Sequence, residues 1–139
     1  MSHEGYSITT DRERLDVDAI FDYLSQHAYW AKGRSRETVE RSIAGSLCFG
    51  LFHGDAQIGF GRVITDYATF SYLCDVYVLE EYRGRGLGRW LIDTMIAHPA
   101  LGPGVRLFLR TRDAQELYRR VGFDTISNPE SYMVRPPRP

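Results

Sequence analysis

The sequence predicts a mixed α/β (α+β) sandwich built around one sheet. Two observations carry this. Apolar residues recur at helical spacing in some stretches and alternate or run together over strand lengths in others. The two kinds follow one another as strand, two helices, two or three antiparallel strands, then strand, helix, strand, helix, strand. Length agrees: 139 residues fit one domain over 1–139 and bury a core without disulfide or metal staples. Only the proline-rich end, 135–139, reads as a loose tail.

Tyr6 to Thr9 suits a short first strand. Val17, Ile20, Phe21, Leu24 and Ala28 share one helix face, and Gly33 closes that segment. Ser35 is placed to cap a second helix carrying Val39 and Ile43 and ending near Gly45. Leu47 to His53 and Gln57 to Thr65 flank the turn signal Gly54-Asp55, which predicts an antiparallel hairpin. Gly59 and Gly61 inside it mark close backbone approach. After a turn at Asp66 to Ala68, Thr69 to Leu79 is the longest strand signal. Strict alternation puts Phe70, Tyr72, Cys74, Val76 and Val78 on one face, and Ser71, Leu73, Asp75, Tyr77 and Leu79 on the other. Both faces are largely apolar, so the strand is central and covered on both sides. Leu87, Trp90, Leu91, Thr94 and Met95 mark the next helix, ended by His98-Pro99. Val105 to Arg110 reads as a strand. Ala114, Leu117, Tyr118 and Val121 mark a last helix stopped by Gly122, and a final strand is expected around Ser131 to Val134.

The chemistry concentrates in Arg83-Gly84-Arg85-Gly86-Leu87-Gly88, between the long strand and a helix. Glycines let backbone N–H groups approach an anion unobstructed, and a helix N-terminus adds unpaired donors and partial positive charge. Arg83, Arg85 and Arg89 add full charges. The pattern reads as a phosphate or pyrophosphate site. A nucleotide-hydrolysing P-loop would need Lys-Ser or Lys-Thr after the glycines, which is missing. The spacing is GxGxG rather than GxGxxG, and it lies too late in the chain to open a dinucleotide fold. A plain turn with solvated arginines is the remaining alternative.

With Arg83, Gly86 and Gly88 in place, the loop resembles the acyl-CoA loop Q/R-x-x-G-x-G/A of the GCN5-related N-acetyltransferase (GNAT) superfamily. A second motif of that family resembles Asp113-Ala114-Gln115-Glu116-Leu117-Tyr118-Arg119-Arg120-Val121-Gly122-Phe123, with Asp113 where the family has asparagine. The resemblance runs from about Leu47 to Phe123. It implies a mixed, mostly antiparallel sheet with helices on both faces and a central strand pair that splays to admit acetyl-CoA. By the same resemblance, the backbone of Val76 and Val78 pairs with the pantetheine arm. Arg83, Gly84, Arg85, Gly86, Leu87, Gly88 and Arg89 hold the pyrophosphate, and Asp113 caps the last helix or touches the cofactor.

The implied activity is N-acetyl transfer to a primary amine of a small molecule, peptide or protein, by direct attack in a ternary complex. A strand amide at or near Val78 stabilises the oxyanion. Tyr118 matches the family's general acid; its bland reading is an amphipathic core tyrosine. An alkylammonium must lose a proton before attack. The candidate bases are Asp75 and Asp66, because Cys74 stands where some relatives carry a base glutamate. Asp75 has contact with the acceptor's ammonium or pairing with a neighbouring arginine, and Asp66 a bond to its own turn, as alternatives. Cys74 reads as a small core residue rather than a nucleophile. Tyr29, Trp30 and Tyr72 are candidate acceptor contacts, the first two by stacking or by wrapping a cation, with ordinary core packing as their alternative. A non-catalytic acyl-CoA-binding or sensing domain is the alternative function.

Composition narrows partners. Net charge is −1, so no global field recruits nucleic acid or an anionic membrane. Cys48 and Cys74 lack paired spacing, which suggests a reducing, cytoplasmic setting. His3, His27, His53 and His98 show no metal-ligand spacing, so no metal is expected. Met1 to Thr10 does not read as a secretory signal, and no apolar run reaches membrane-spanning length. The resemblance also implies a homodimer as a candidate assembly.

Overall fold

A computed structural model describes residues 3–138, so Met1, Ser2 and Pro139, which fall in the leader and tail readings, lie outside the described residues. Five strands form one sheet in chain order: β1 (Tyr6–Thr9), β2 (Leu47–His53), β3 (Ala56–Thr65), β4 (Phe70–Val78) and β5 (Arg106–Leu109). The first four are antiparallel, and β5 runs parallel to β4. The helices are α1 (Val17–Gln26), α2 (Arg36–Ala44), α3 (Leu87–Ile96) and α4 (Gln115–Arg119). No described helix is long and apolar enough to cross a membrane.

Local chemistry explains the helix starts. Asp16 accepts from the Ala19 amide to open α1, and Ser35 accepts from the Thr38 amide to open α2. α1 and α2 cover one face of the sheet, where Ile20, Leu24, Val39 and Ile43 pack with Cys48, Phe60 and Tyr77. α3 covers the other face. There Leu91 and Met95 pack with Phe49, Val63 and Leu73, while Leu87 meets Leu51, Ile58 and Val78. The glycines of β3 permit this closeness. A Cβ on Gly59 would stand 2.9 Å from the Tyr77 carbonyl, and one on Gly61 would collide with Met95.

Strict alternation fails in β4. Phe60 pairs with Tyr77 and Arg62 with Cys74, so two β4 residues, Asp75 and Val76, oppose Gly61 alone. This is a β-bulge, and Asp75 takes the left-handed conformation at φ 54°. Beyond it the faces exchange. Tyr77 joins the α1–α2 layer and Val78 the α3 side, so Val76 and Val78 do not share a face with Tyr72 and Cys74.

The strand expected at Ser131 to Val134 does not form. Pro129–Ser131 makes a short 3-10 turn instead, and Tyr132 packs against Phe108 with ring centroids 6.1 Å apart. Pro129 and Pro136-Pro137 confine the stretch with backbone donors to Glu130 to Arg135, and the 3-10 turn takes its first two residues. Among the described residues β5 is therefore the sheet's last strand.

Candidate active site

The parallel pairing of β4 with β5 covers only Phe70 to Leu73 against Arg106 to Leu109. Beyond Leu73 the strands part, and a cavity of about 780 Å³ occupies the α1–α2 side of the opening. Its walls include Tyr72, Cys74, Asp75 and Val76 of β4, Arg62 and Ile64 of β3, and Arg110 to Ala114 with Tyr118 beyond β5. The segment between α1 and α2 closes it with Tyr29, Trp30 and Arg34.

The bulge turns Asp75 into this region, where it is 3% exposed. Its Oδ1 accepts from Trp30 Nε1 at 2.8 Å. Its Oδ2 accepts from Arg34 Nη1 and Arg62 Nε, each at 2.9 Å. Arg62 also donates Nη1 to Ser46 Oγ at 3.0 Å. Asp75 is thus the counter-charge of two guanidiniums and the anchor of the α1–α2 segment. Tyr29 is held from the other side: the Arg112 guanidinium lies 3.7 Å from its ring centroid. The cation that Tyr29 engages here is this chain's own.

The glycine loop has the conformation its composition predicts. Gly84 and Gly86 adopt φ 79° and 78°, the left-handed region where a side chain is penalised. Gly86 is the residue before α3, and no side chain caps the helix amides there. The loop therefore carries unclaimed donors with the helix dipole behind them, which suits a diphosphate. Arg83 points elsewhere: its Nε donates to the Val78 carbonyl at 2.9 Å and its Nη2 to Tyr23 Oη at 3.0 Å. Arg85 lies over the Tyr82 ring, and Arg89 pairs with Asp93 one turn along α3.

A sequence model described as the acetyltransferase (GNAT) domain matches residues 44–125. A Gibberella zeae protein, provisionally named an acetyltransferase, is 32% identical over 81% of this chain and 75% of its own length. The chain belongs to the GNAT acetyltransferase family. The thialysine N-epsilon-acetyltransferase of Bos taurus is 28% identical over 87% of this chain and 78% of its own. A solved Xanthomonas campestris pv. campestris protein, provisionally assigned to the same family, superposes with a TM-score of 0.92. It is 48% identical, over 97% of this chain and 94% of that one.

Within this GNAT domain, Tyr118 lines the cavity, and burial raises its hydroxyl pKa above the ordinary tyrosine value. It also borders a smaller cavity of about 280 Å³ running past Gln115 to Ile126. Tyr72 lines the main cavity, its pKa likewise raised by burial. Cys74 is there too, its thiol pushed up to about 11 by burial, so it is not a thiolate at neutral pH. Asp113 lines the cavity but does not cap α4. That helix begins one residue later, from Ala114, with no side-chain cap, and the Ala114 amide bonds Thr111 Oγ1 instead. Asp66 is not among the cavity residues. Its carboxylate accepts from the Ala68, Thr69 and Phe70 amides and from Thr69 Oγ1, which depresses its pKa.

Sequence reasoning passed over Arg34, Arg62, Arg110 and Arg112, four guanidiniums on one cavity. Arg62 had a legible signal: a lone charge inside the apolar run Ile58 to Ile64. The others sit in segments whose composition says only that they are exposed.

Proposed function

We propose that the protein transfers the acetyl group of acetyl-CoA to a primary amine of a small molecule or peptide, by direct attack within a ternary complex. The observation that carries this is the uncapped, glycine-led start of α3 lying just past the end of β4, the strand that parts from β5 beside a cavity. The donor set fits the cofactor: amides of Gly84 to Gly88, with Leu87 opening the helix and Arg85 and Arg89 nearby, would hold the diphosphate, whereas the Arg83 amide already donates to the Glu80 carbonyl at 3.1 Å and is not available. Acetyl-CoA supplies the activated thioester. The Leu79 amide bonds Ile58 in β3, so by alternation the Val78 and Val76 peptide groups face the opposite edge, toward the gap. Arg83 takes the Val78 carbonyl on that edge, which leaves the Val78 amide as the oxyanion donor.

The amine nitrogen bonds the acetyl carbon, the carbon–sulfur bond breaks, and Tyr118 gives its hydroxyl proton to the departing sulfur. Tyr118 is protonated at neutral pH, the state the acid role requires. For the opposite proton, the geometry favours water in the cavity over either aspartate. Asp75 spends its lone pairs on Trp30, Arg34 and Arg62, and Asp66 spends its own on its turn. Asp113 is the cavity carboxylate that such water would reach. The thialysine N-epsilon-acetyltransferase, by its name, acetylates an ε-amine, which supports a primary amine as the acceptor class. Free Cys48 and Cys74 support a reducing, cytoplasmic setting.

Engagement of both aspartates also favours a second reading, a domain that binds acyl-CoA without turnover. Calorimetric titration with acetyl-CoA, followed by thiol release on a panel of amines, separates the two. Binding that survives Gly86→Val would contradict the loop assignment, and binding without thiol release on any amine would favour the second reading.

A further inference from the structure

Four guanidiniums and two carboxylates line the main cavity. Their pairing is uneven. Asp75 is consumed by Arg34 and Arg62, which between them use only three of their ten N–H donors in doing so and in bonding Ser46. Arg110 has no acidic partner or side-chain hydrogen bond among the described residues, and its charge acts on the Tyr72 hydroxyl, which lines the same cavity. Among the described residues Arg112 is met only on its flat face, by Tyr29, and its in-plane donors have no partner. The cavity thus carries two surplus positive charges, held on the same side of the sheet as the thiol of Cys74 and the hydroxyl of Tyr118. Tyr29, Trp30, Ile64 and Tyr72 supply apolar wall between them.

Resting on the acetyltransferase reading, we infer that this cavity selects acceptor amines that also carry an anionic group, a carboxylate or a phosphate, gripped by Arg110 with the open donors of Arg34 and Arg112. Guanidinium forks match such oxyanions with paired hydrogen bonds. The same surplus opposes polyamines and other multiply cationic acceptors, because a like charge brought into a partly enclosed cavity is disfavoured. It also helps the reaction. Positive surroundings favour the neutral form of an ammonium, which offsets the engagement of Asp66 and Asp75 in other bonds.

The experiment compares matched amines: lysine against pentane-1,5-diamine, β-alanine against propylamine, and phosphoethanolamine against ethanolamine. Affinity is read by calorimetry on the protein alone and with saturating CoA, and kcat/KM by thiol release. The anionic member of at least one pair should bind about tenfold or more tightly, a preference of about 1.4 kcal/mol. The lysine and β-alanine pairs report a carboxylate site and the third pair a phosphate site. Arg110→Gln should erase the preference through KM while CoA affinity holds, and Arg110→Lys should restore part of it. Arg110 is exposed, so neither change threatens the fold. Equal or tighter binding of the monocationic or dicationic members, or a preference that survives Arg110→Gln, would overturn the inference. Binding alone decides the anion preference, because affinity is measured without turnover. Failure of acetyl transfer would count against the enzymatic reading only.

Discussion

Replacing Asp75 tests how the bulge, the cavity wall and the α1–α2 segment depend on one buried carboxylate. Asp75→Asn keeps a residue type that tolerates the left-handed conformation at φ 54° and keeps an oxygen for Trp30. It removes the counter-charge of Arg34 and Arg62, whose side chains are 21% and 11% exposed. Breaking a buried pair by removing one partner costs about 3–5 kcal/mol. Partial exposure of Arg34 puts the expected loss near the lower end, about 3 kcal/mol. Asp75→Ala adds the left-handed penalty of about 1–2 kcal/mol and should be the worse of the two. For a chain of this length the asparagine variant should melt roughly 10 °C lower. Urea unfolding of both variants is the assay, read as a lower midpoint at unchanged slope. A double variant with Arg62→Met should lose less than the two single losses summed, since the guanidinium left unpaired by the first change is gone. If Asp75→Asn unfolds within about 0.5 kcal/mol of the parent, a range ordinary for surface substitutions, the hub is not holding the segment and the reasoning fails.

Tyr118→Phe should lower kcat by about 10²–10⁴-fold with CoA affinity unchanged, and retained kcat would remove Tyr118 from the acid role. With Tyr118 raised above the ordinary value, the rate should not fall from its ionisation until the pH passes about 10. Cys74, at about 11, should be a thiolate in roughly one molecule in ten thousand at neutral pH. It should therefore alkylate slowly, and Cys74→Ser should carry out transfer as the parent does; acetyl found on Cys74 by mass spectrometry would refute this. Asp66 has a folded pKa below its unfolded one, so its contribution to stability is present above about pH 4 and lost as the pH falls below that. Asp66→Asn should flatten the stability–pH curve in that acidic window, and an unaltered curve would contradict the turn's hydrogen-bond account.

Most of the fold was legible because its signals are local. Helical spacing, Ser35, the Gly54-Asp55 turn and the glycine loop each act within a few residues, and the structure places an element at each. What escaped depends on partners distant in sequence. The bulge at Asp75 is invisible to alternation because both faces of β4 are apolar, so a one-residue slip leaves the pattern equally plausible. The arginine-lined cavity joins residues from positions 29 to 118, and no spacing rule links them. At the other extreme, Tyr132, Met133 and Val134 read as a strand, yet the open edge of β5 takes only the Tyr132 ring against Phe108 and no ladder. Asp113 looked like a cap because its neighbours look helical, but the first turn starts one residue too late for it to serve.

The extra residue in β4 works as a parity switch. Every side chain from Val76 onward points opposite to where simple counting would send it, which is what lays Val78 over Leu87 and aims the strand's exit at the glycine bend. Shortening β4 by one residue at this point would restore even counting and turn that exit inside out. The reading frame of in and out along β4 is therefore as much a part of the site as any functional group lining it.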